Sequence, residues 1–276
     1  MSFPDDQIKI SAECIEMDAV KNFCKPYKGD LPSDGNIYYY EFSPECLIVL
    51  SASNILLGNR ILGAGLDSPI TGDLLKEFIS IYKKAGRPKF MIQTSPLVLN
   101  EKSKAVLEEN KFIHKGNWAK FVKSAEDVNT ESVIETNEVK IRISDEKDFK
   151  VLSEILTGSF GFPPEMSVMC FALLNSEGWT TFTGFLNDKI SGSASVYIKG
   201  EHAELGAAAT AESARGHGIQ SALIKSRELF AVKNNCKYLF VETAEPTPEY
   251  RAPSYRNMIK SGYTELYRRP NYVFNF

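Results

Sequence analysis

The chain has 276 residues, of which 43% are hydrophobic and 24% are charged, and its formal net charge is −3. These values are typical of a soluble globular protein with one large or two small domains. The small net charge and the scattered basic residues argue against a nucleic-acid surface, and no stretch approaches the roughly 18 apolar residues that are needed to span a bilayer.

The five cysteines contain no CxxC pair. Neither a zinc site nor a complete disulfide framework is therefore predicted, and we expect no bound metal. The N-terminal residues lack the basic and apolar run of a signal peptide. Together these features predict a cytoplasmic protein without a membrane or nucleic-acid partner, either a monomer or a homodimer.

The first half of the chain alternates between strand and helix patterns. In chain order we expect a strand over 59–66, a helix over 73–84, a strand over 88–94, a helix over 101–109 and one or two strands over 112–122. A polar, acidic stretch without periodicity follows at 126–137. It predicts a linker that separates a domain over 1–125 from a domain over 138–276.

The second half carries a longer succession of elements. In chain order we expect a strand over 139–143, helices over 146–159 and 163–175, strands over 179–186, 190–198 and 203–210, a helix over 216–232, a strand over 238–242, a helix over 254–260, and strands over 263–267 and 272–276.

A glycine-spaced turn joins the predicted strand 203–210 to the predicted helix 216–232. Gly216 and Gly218 let the backbone approach a ligand closely, and a helix that starts there leaves its first amide groups without partners. The helix dipole adds partial positive charge at this end, so a phosphate is favoured without any lysine. The turn predicts an anion site. The plainer alternative is a turn that only lets the helix pack close to the strand.

The order of elements and three motifs resemble the Gcn5-related N-acetyltransferase (GNAT) superfamily. The family's pyrophosphate loop reads Q/R-x-x-G-x-G/A and stands here as RGHGIQ over 215–220, with Gln220 where glycine or alanine is usual. The residues ATAE over 209–212 precede it like the family's strand end, and SYRNMIKSGY over 254–263 resembles the family's S-x-x-N-x-x-K-x-G-F segment. A dinucleotide loop is disfavoured, because this loop follows three predicted antiparallel strands instead of a first parallel one.

The resemblance implies an α/β (α+β) fold, in which a mixed, mostly antiparallel sheet is flanked by helices, and acetyl-CoA as co-substrate. In the family, the strand before the loop splays from its neighbour, and its backbone pairs with the pantetheine arm as an added strand would. The cofactor-binding residues that the resemblance implies are Ala208, Ala209, Thr210, Arg215, Gly216, His217, Gly218, Ile219, Gln220, Ser221, Ser254 and Asn257.

The first half repeats the succession of strand, helix, strand, helix and strand, so the chain resembles two-domain, tandem members of the superfamily. RILGAG over 60–65 also satisfies R-x-x-G-x-G. We interpret this match as false, because its glycines lie inside the predicted strand 59–66, and the turn to the next helix carries Asp67 and Asp73, which would repel a phosphate. The first domain is therefore predicted to be a degenerate copy without a CoA loop, with a packing or acceptor-shaping role.

Acetyl transfer to an amine requires a base for the attacking nitrogen and an acid for the departing thiolate. Glu204 and Glu242 are the candidate bases, and the plainer alternative for each is a solvated or paired strand residue. Many family members use as the acid a tyrosine four positions before the glycine of the last motif, where this chain has Met258, which cannot donate a proton. Tyr255 and Tyr267 are left as candidate donors, with core packing as their alternative.

The function that the resemblance implies is N-acetyl transfer. We expect an acetyl group to move from acetyl-CoA to the amine of a small-molecule or peptide acceptor by direct attack, with Glu204 and Tyr267 as the catalytic residues. The alternative is a catalytically silent CoA-binding or interaction protein.

Overall fold

The computed structural model describes residues 5–26, 37–131, 136 and 138–276. The chain divides into two compact units. Unit 1 comprises Met1–Lys120, Thr243–Tyr250 and Leu266–Phe276, and unit 2 comprises Phe121–Glu242 and Arg251–Glu265. Of the predicted linker, residues 132–135 and 137 lie outside the described residues.

The helices of the described residues are α1 Asp5–Phe23, α2 Gly72–Lys84, α3 Glu101–Glu109, α4 Phe149–Phe160, α5 Val168–Asn175, α6 Ile219–Lys233 and α7 Pro253–Lys260. The strands are β1 Lys25–Pro26, β2 Ile37–Ser43, β3 Cys46–Ser51, β4 Arg60–Leu62, β5 Lys89–Gln93, β6 Ile113–Ser124, β7 Val139–Ile143, β8 Trp179–Leu186, β9 Lys189–Lys199, β10 His202–Thr210, β11 Tyr238–Ala244 and β12 Thr264–Asn275. None of these helices is both long enough and apolar enough to cross a membrane.

In unit 1, successive neighbours in the sheet are β1, β2, β3, β4, β5 and β12. Strands β2, β3 and β4 pair antiparallel, whereas β4 and β5 are parallel, with α2 in the connection between them. Helix α2 begins after Thr71, whose side chain accepts a hydrogen bond from the Leu74 amide. Its apolar face buries Leu75, Phe78 and Tyr82 in the core of the unit.

Unit 1 also buries a cluster of charged side chains. Glu16 of α1 accepts hydrogen bonds from Arg60 at 3.1 Å, Lys120 at 3.0 Å and Arg269 at 3.0 Å, and Glu13 accepts one from Arg269 at 3.1 Å. All five residues are buried. Burial alone would raise the pKa of Glu16, but the charges of Arg269, Lys120 and Arg60 hold that pKa well below its ordinary value.

In unit 2, successive neighbours in the sheet are β11, β10, β9, β8 and β7. Strands β7 to β10 pair antiparallel, and β10 is parallel to β11, with α6 in the connection between them. The succession β8-β9-β10-α6-β11 thus repeats the succession β2-β3-β4-α2-β5 of unit 1. In each unit the strand pairing is mixed and mostly antiparallel, with helices packed against the strands, which confirms the predicted fold class.

An ion pair in unit 2 connects the start of α4 to the sheet. Arg142 of β7 donates two hydrogen bonds of 2.7 Å to Asp148, and Thr183 of β8 donates a third at 3.0 Å. Burial alone would raise the pKa of Asp148, but the hydrogen bonds from Arg142 and its neighbours lower it, so the carboxylate stays ionised at neutral pH. The helix ends at Gly161, whose φ of +63° lies in the left-handed region that favours glycine.

Several predicted elements need correction. The predicted strand 59–66 is shorter in the structure, since β4 covers only Arg60–Leu62. Gly63 and Gly65 therefore lie just after the strand, with φ of +74° and +96°, and not inside it. The two predicted final strands form one continuous strand, β12. Helix α1 and strands β2 and β3 have no counterpart among the predicted elements.

Candidate functional site

The candidate site lies in unit 2, where β10 leaves its parallel neighbour β11. The two strands pair over four residues, from His202 opposite Tyr238 to Leu205 opposite Val241. Strand β10 continues for five more residues to Thr210, and over this length it pairs with β9 on its other side. A splay of this kind exposes one edge of the β10 backbone, and an extended ligand can pair with such an edge.

A bulge in β10 lies at the start of the splay. The pairing register with β9 shifts between Gly206 and Ala209. Within the bulge, Ala207 has a φ of +44°, in the left-handed region that few residues other than glycine adopt. Such a conformation costs about 1–2 kcal/mol, and strained backbone of this kind is common at functional sites.

The glycine turn follows the splayed strand and precedes α6. Gly216 and Gly218 have φ of +85° and +84°, and a Cβ atom added to either would meet no atom within 4 Å. Gly218 is the N-cap of α6 and supplies no side-chain cap. The amide groups of the first turn therefore point to the open side of the turn with no partner inside the helix, as an anion site requires.

Two glycines of the sheet set the position of this helix end. A Cβ atom added to Gly184 of β8 or Gly192 of β9 would lie 2.9 or 2.8 Å from the side chain of Ile219, the first residue of α6. Both positions therefore require glycine for the close approach of helix and sheet. Ile219 is buried, so among the predicted loop residues it contributes packing and its backbone amide.

The structure brings the other predicted loop residues together around this helix end. Arg215, His217 and Ser221 are exposed. The Arg215 guanidinium lies 3.9 Å from the Glu212 carboxylate, a loose pair at the surface. Across the base of the loop, the Thr210 hydroxyl donates a hydrogen bond of 3.1 Å to the side-chain oxygen of Gln220, which ties the end of β10 to the first turn of α6.

A groove of about 410 Å³ lies against the same loop. Its walls come from α4, the start of β9 and the segment that leads into the glycine turn. The residues that line it are Val151, Glu154, Ile155, Gly158, Ser159, Lys189, Ile190, Ser191, Ala211, Glu212, Ser213 and Arg215. Two cationic and two anionic side chains face a partly apolar floor, so the groove has no single sign of charge.

The candidate bases lie on the two strands that form the splay. Glu204 of β10 is 6% exposed, and its register partners are Tyr197 of β9 and Phe240 of β11. Glu242 stands two residues beyond Phe240 on β11 and is therefore on the same face of that strand. The structure thus brings both carboxylates to the neighbourhood of the splay.

The candidate proton donors and the cofactor-binding candidates of α7 lie in different surroundings. Ser254 is exposed and Asn257 is half-buried on α7, whereas Met258 is buried in the core at 2% exposure. Tyr255 donates a hydrogen bond of 2.5 Å to Glu265. Tyr267 belongs to unit 1, where it is buried and its hydroxyl donates a hydrogen bond of 2.6 Å to Glu13.

One residue beside the splay is absent from the sequence prediction. Arg227 of α6 is fully buried and donates hydrogen bonds to the carbonyl oxygens of Ser195 on β9 and Gly206 on β10. The sequence does hold a signal, because Arg227 stands four residues after Leu223 and three after Ile224 and so falls on the same face of the helix as these apolar residues. An arginine on a buried face is unusual and indicates a specific interaction.

One family model matches part of the chain in sequence. Residues 150–254 match the model of the family described as "Acetyltransferase (GNAT) family". The match runs from the first turn of α4 to the start of α7 and includes the splay and the glycine turn. No curated protein matches the chain in sequence.

Solved structures with the same fold cover nearly the whole chain. A GCN5-related N-acetyltransferase from Kribbella flavida is 11% identical and covers 95% of each chain with a TM-score of 0.62. A tandem GNAT protein from the clavulanic acid biosynthesis pathway is 10% identical, with a TM-score of 0.60 over 98% of this chain and 96% of the other. A GCN5-related N-acetyltransferase from Sphaerobacter thermophilus is 14% identical, with a TM-score of 0.62 over 86% of this chain and 82% of the other.

Proposed function

We propose that this chain, which carries a GNAT-family domain within a tandem GNAT fold, is an N-acetyltransferase that moves an acetyl group from acetyl-CoA to an amine. The observation that carries the proposal is the open glycine turn at the start of α6, next to the point where β10 leaves β11. The pyrophosphate of CoA needs an anion site, and its pantetheine arm needs a free strand edge. The glycine turn and the splayed part of β10 would supply these two features next to each other.

The residues present suit this ligand. The backbone amides from Gly216 to Gln220 would hold the pyrophosphate at the N-terminus of α6, with Arg215 and Ser221 at its margin. The backbone of Ala208, Ala209 and Thr210 would pair with the pantetheine arm, since their small side chains leave that edge open. In this proposal Ser254 and Asn257 contact the cofactor from α7, and His217 faces solvent beside the phosphates.

The chemistry requires the acceptor nitrogen to lose a proton before attack. We assign this step to Glu204, which would take one proton from the ammonium group directly or through water. The neutral nitrogen attacks the thioester carbonyl carbon, a C–N bond forms and the C–S bond breaks, and CoA leaves as the thiolate. The second nitrogen proton passes through solvent to the sulfur, because Met258 provides no donor and the Tyr267 hydroxyl donates to Glu13.

The same reasoning assigns no CoA to unit 1. A Cβ atom added to Gly63 would lie 1.9 Å from the carbonyl oxygen of Glu45, and one added to Gly65 would lie 2.9 Å from the side chain of Val98. The turn after β4 is therefore filled by the chain itself. We expect one acetyl-CoA per chain, and a titration that gives two would contradict this part of the proposal.

Titration calorimetry with acetyl-CoA tests the site. Gly218→Glu places a carboxylate where the pyrophosphate would lie, and we expect it to weaken binding at least about 100-fold, since like charges placed together cost several kcal/mol. Gly86→Glu is the matched control. Gly86 lies in unit 1, has a φ of +66° and also has no atom within 4 Å of an added Cβ, so it should show the same strain with unchanged affinity.

A thiol-release assay over a panel of primary amines then tests the reaction. Turnover that falls at least about 100-fold in Glu204→Gln supports the proposed base. If the wild type binds acetyl-CoA but releases thiol only at the background rate with every amine, the chain is a CoA-binding module and not an acetyltransferase. If Gly218→Glu binds as tightly as the wild type, the proposed loop is wrong.

A further inference from the structure

Arg227 is a buried cation at the start of the splay. It is 1% exposed, and its Nε donates a hydrogen bond of 3.1 Å to the carbonyl oxygen of Leu223 in its own helix. Its Nη1 donates to the carbonyl oxygens of Ser195 at 3.3 Å and Gly206 at 3.4 Å. All three acceptors are backbone carbonyls, and the buried carboxylate of Glu228 also favours the charge of Arg227 electrostatically.

The two strand carbonyls mark the place where regular pairing ends. Ser195 and Gly206 are register partners on β9 and β10, and Gly206 is the last residue before the register shift. Arg227 therefore binds the carbonyl oxygens of the last regular residue pair of β9 and β10 before the bulge. Burial lowers the pKa of Arg227 to about 10, so the guanidinium stays protonated at neutral pH.

Unit 1 shows that the fold itself does not require a charge here. In that unit, Tyr82 of α2 places its hydroxyl 2.7 Å from the carbonyl oxygen of Val49 and 3.0 Å from that of Arg60. Val49 and Arg60 are register partners on β3 and β4, which correspond to β9 and β10 in the repeated succession of elements. In unit 1 the neutral hydroxyl of Tyr82 thus contacts the two strand carbonyls beside the filled turn. In unit 2 the cationic Arg227 makes the equivalent contact beside the open glycine turn.

The peptide that Arg227 contacts leads directly into the strained residue of the bulge. In a trans peptide the N–H of Ala207 points away from the C=O of Gly206. A cation bound to that carbonyl fixes the orientation of the peptide and polarises it, which makes the Ala207 amide a stronger hydrogen-bond donor. Preorganised donors of this kind stabilise the negative charge that develops on a carbonyl oxygen under attack.

We propose that Arg227 is a positioning residue for acyl transfer, which holds the bulge of β10 and strengthens its amide groups toward the thioester oxygen. The inference rests on the proposed acetyltransferase function. Arg227 contacts neither the acceptor nor the cofactor, and its effect passes through the peptide between Gly206 and Ala207. It should therefore act on kcat more than on cofactor affinity.

The test compares Arg227→Met, Arg227→Lys and the unit 1 control Tyr82→Phe. In Arg227→Met, which keeps the apolar stem without the charge, we expect kcat to fall at least about tenfold, since removal of one preorganised donor commonly costs more than that. The Kd of acetyl-CoA should stay within about threefold, because the phosphate loop is untouched. Arg227→Lys should recover part of kcat, and Tyr82→Phe should lower the unfolding midpoint with kcat unchanged.

An active wild type with unchanged kcat in Arg227→Met would overturn the inference alone. Equal losses of kcat in Arg227→Met and Arg227→Lys, matched by the loss of folded protein measured by circular dichroism, would also overturn it, since they indicate a purely structural role. A wild type that binds acetyl-CoA without turnover would instead contradict the proposed function. The wild-type measurement therefore separates the two failures.

Discussion

The turn after β4 and the turn after β10 stand at the same point of the same topology. Each follows the last strand of an antiparallel run and leads to the helix that connects this strand to a parallel neighbour. Each also carries two glycines with positive φ, at Gly63 and Gly65 in unit 1 and at Gly216 and Gly218 in unit 2. A sequence pattern of arginine and spaced glycines is thus common to both.

The two turns differ in what surrounds the glycines. Atoms of the same chain stand within 3 Å of the position of an added Cβ at both unit 1 glycines, whereas no atom stands within 4 Å at the unit 2 glycines. The helices that follow also begin differently, because Thr71 caps α2 and Gly218 leaves α6 without a side-chain cap. The comparison teaches that the glycine pattern alone does not make an anion site, which needs space and unpaired amides as well.

The largest expected effect concerns the charges of unit 1, which we interpret as structural. Glu16→Gln replaces the carboxylate shared by Arg60, Lys120 and Arg269 with a neutral amide, and leaving these buried cations uncompensated costs about 3–5 kcal/mol of unfolding free energy. Urea unfolding measures the loss. The control is Glu41→Gln, whose 2.5 Å ion pair with Lys21 is partly exposed and should contribute less than about 1 kcal/mol.

The same cluster predicts the sign of a pH effect. The pKa of Glu16 in the folded chain lies below its ordinary value of 4.5, so the ionised carboxylate stabilises the fold above that pH, and the stabilisation is lost as the pH falls further. Urea midpoints measured from pH 7 down to about pH 3 should therefore decrease more steeply in the wild type than in Glu16→Gln. Parallel curves would show that the Glu16 charge does not contribute.

The second prediction exchanges one glycine in each turn for alanine. Gly63→Ala adds a methyl group against the Glu45 carbonyl and forces alanine into a left-handed conformation, so we expect a loss of about 2–5 kcal/mol. The methyl group added in Gly216→Ala meets no atom within 4 Å. This variant should therefore lose only the cost of a left-handed alanine, about 1–2 kcal/mol of unfolding free energy. Equal unfolding free energies for the two variants would mean that the unit 1 turn is as open as the other.

Local signals in the sequence were sufficient for several elements of both units. The predicted strand 179–186 and helix 101–109 coincide with β8 and α3, and α3 begins with a capping box formed by Asn100 and Ser103. The glycine turn was predictable for the same reason. Its glycines, its strand end and its helix start lie within about a dozen consecutive residues, so no distant partner is needed to form it.

Features that depend on distant partners were not predictable. Helix α1 places Glu13 and Glu16 on a buried face, which breaks the apolar pattern, and the partners of Glu16 lie 44, 104 and 253 residues away in sequence. Arg269 is buried by this cluster, and the segment between the two predicted final strands is continuous strand instead. Arg227 was missed because Ser195 and Gly206, which explain its burial, are 32 and 21 residues away.

The smallest expected effect concerns two threonines, Thr210 and Thr71, whose hydroxyl groups bond to the first turn of the helix that follows each of them. Thr210→Val keeps the side-chain shape but removes the hydrogen bond to Gln220, worth about 0.5–1.5 kcal/mol, so the loop should be less ordered before binding and the Kd of acetyl-CoA should rise about 2- to 10-fold. Thr71→Val removes the cap of α2 and should lower the unfolding free energy by about 0.5–2 kcal/mol, with the Kd unchanged.

Calorimetric titration of both valine variants separates anchoring for a ligand from anchoring for stability. The same chemical change is made in each unit at a threonine whose hydroxyl bonds to the first turn of the following helix. A general loss of folded protein would therefore affect both titrations through the active concentration and not through Kd. A rise in Kd confined to Thr210→Val supports an open turn that is ordered for a ligand. An equal Kd in the two variants would mean that the Thr210 hydrogen bond stabilises only the end of β10, just as the Thr71 cap stabilises only the start of α2.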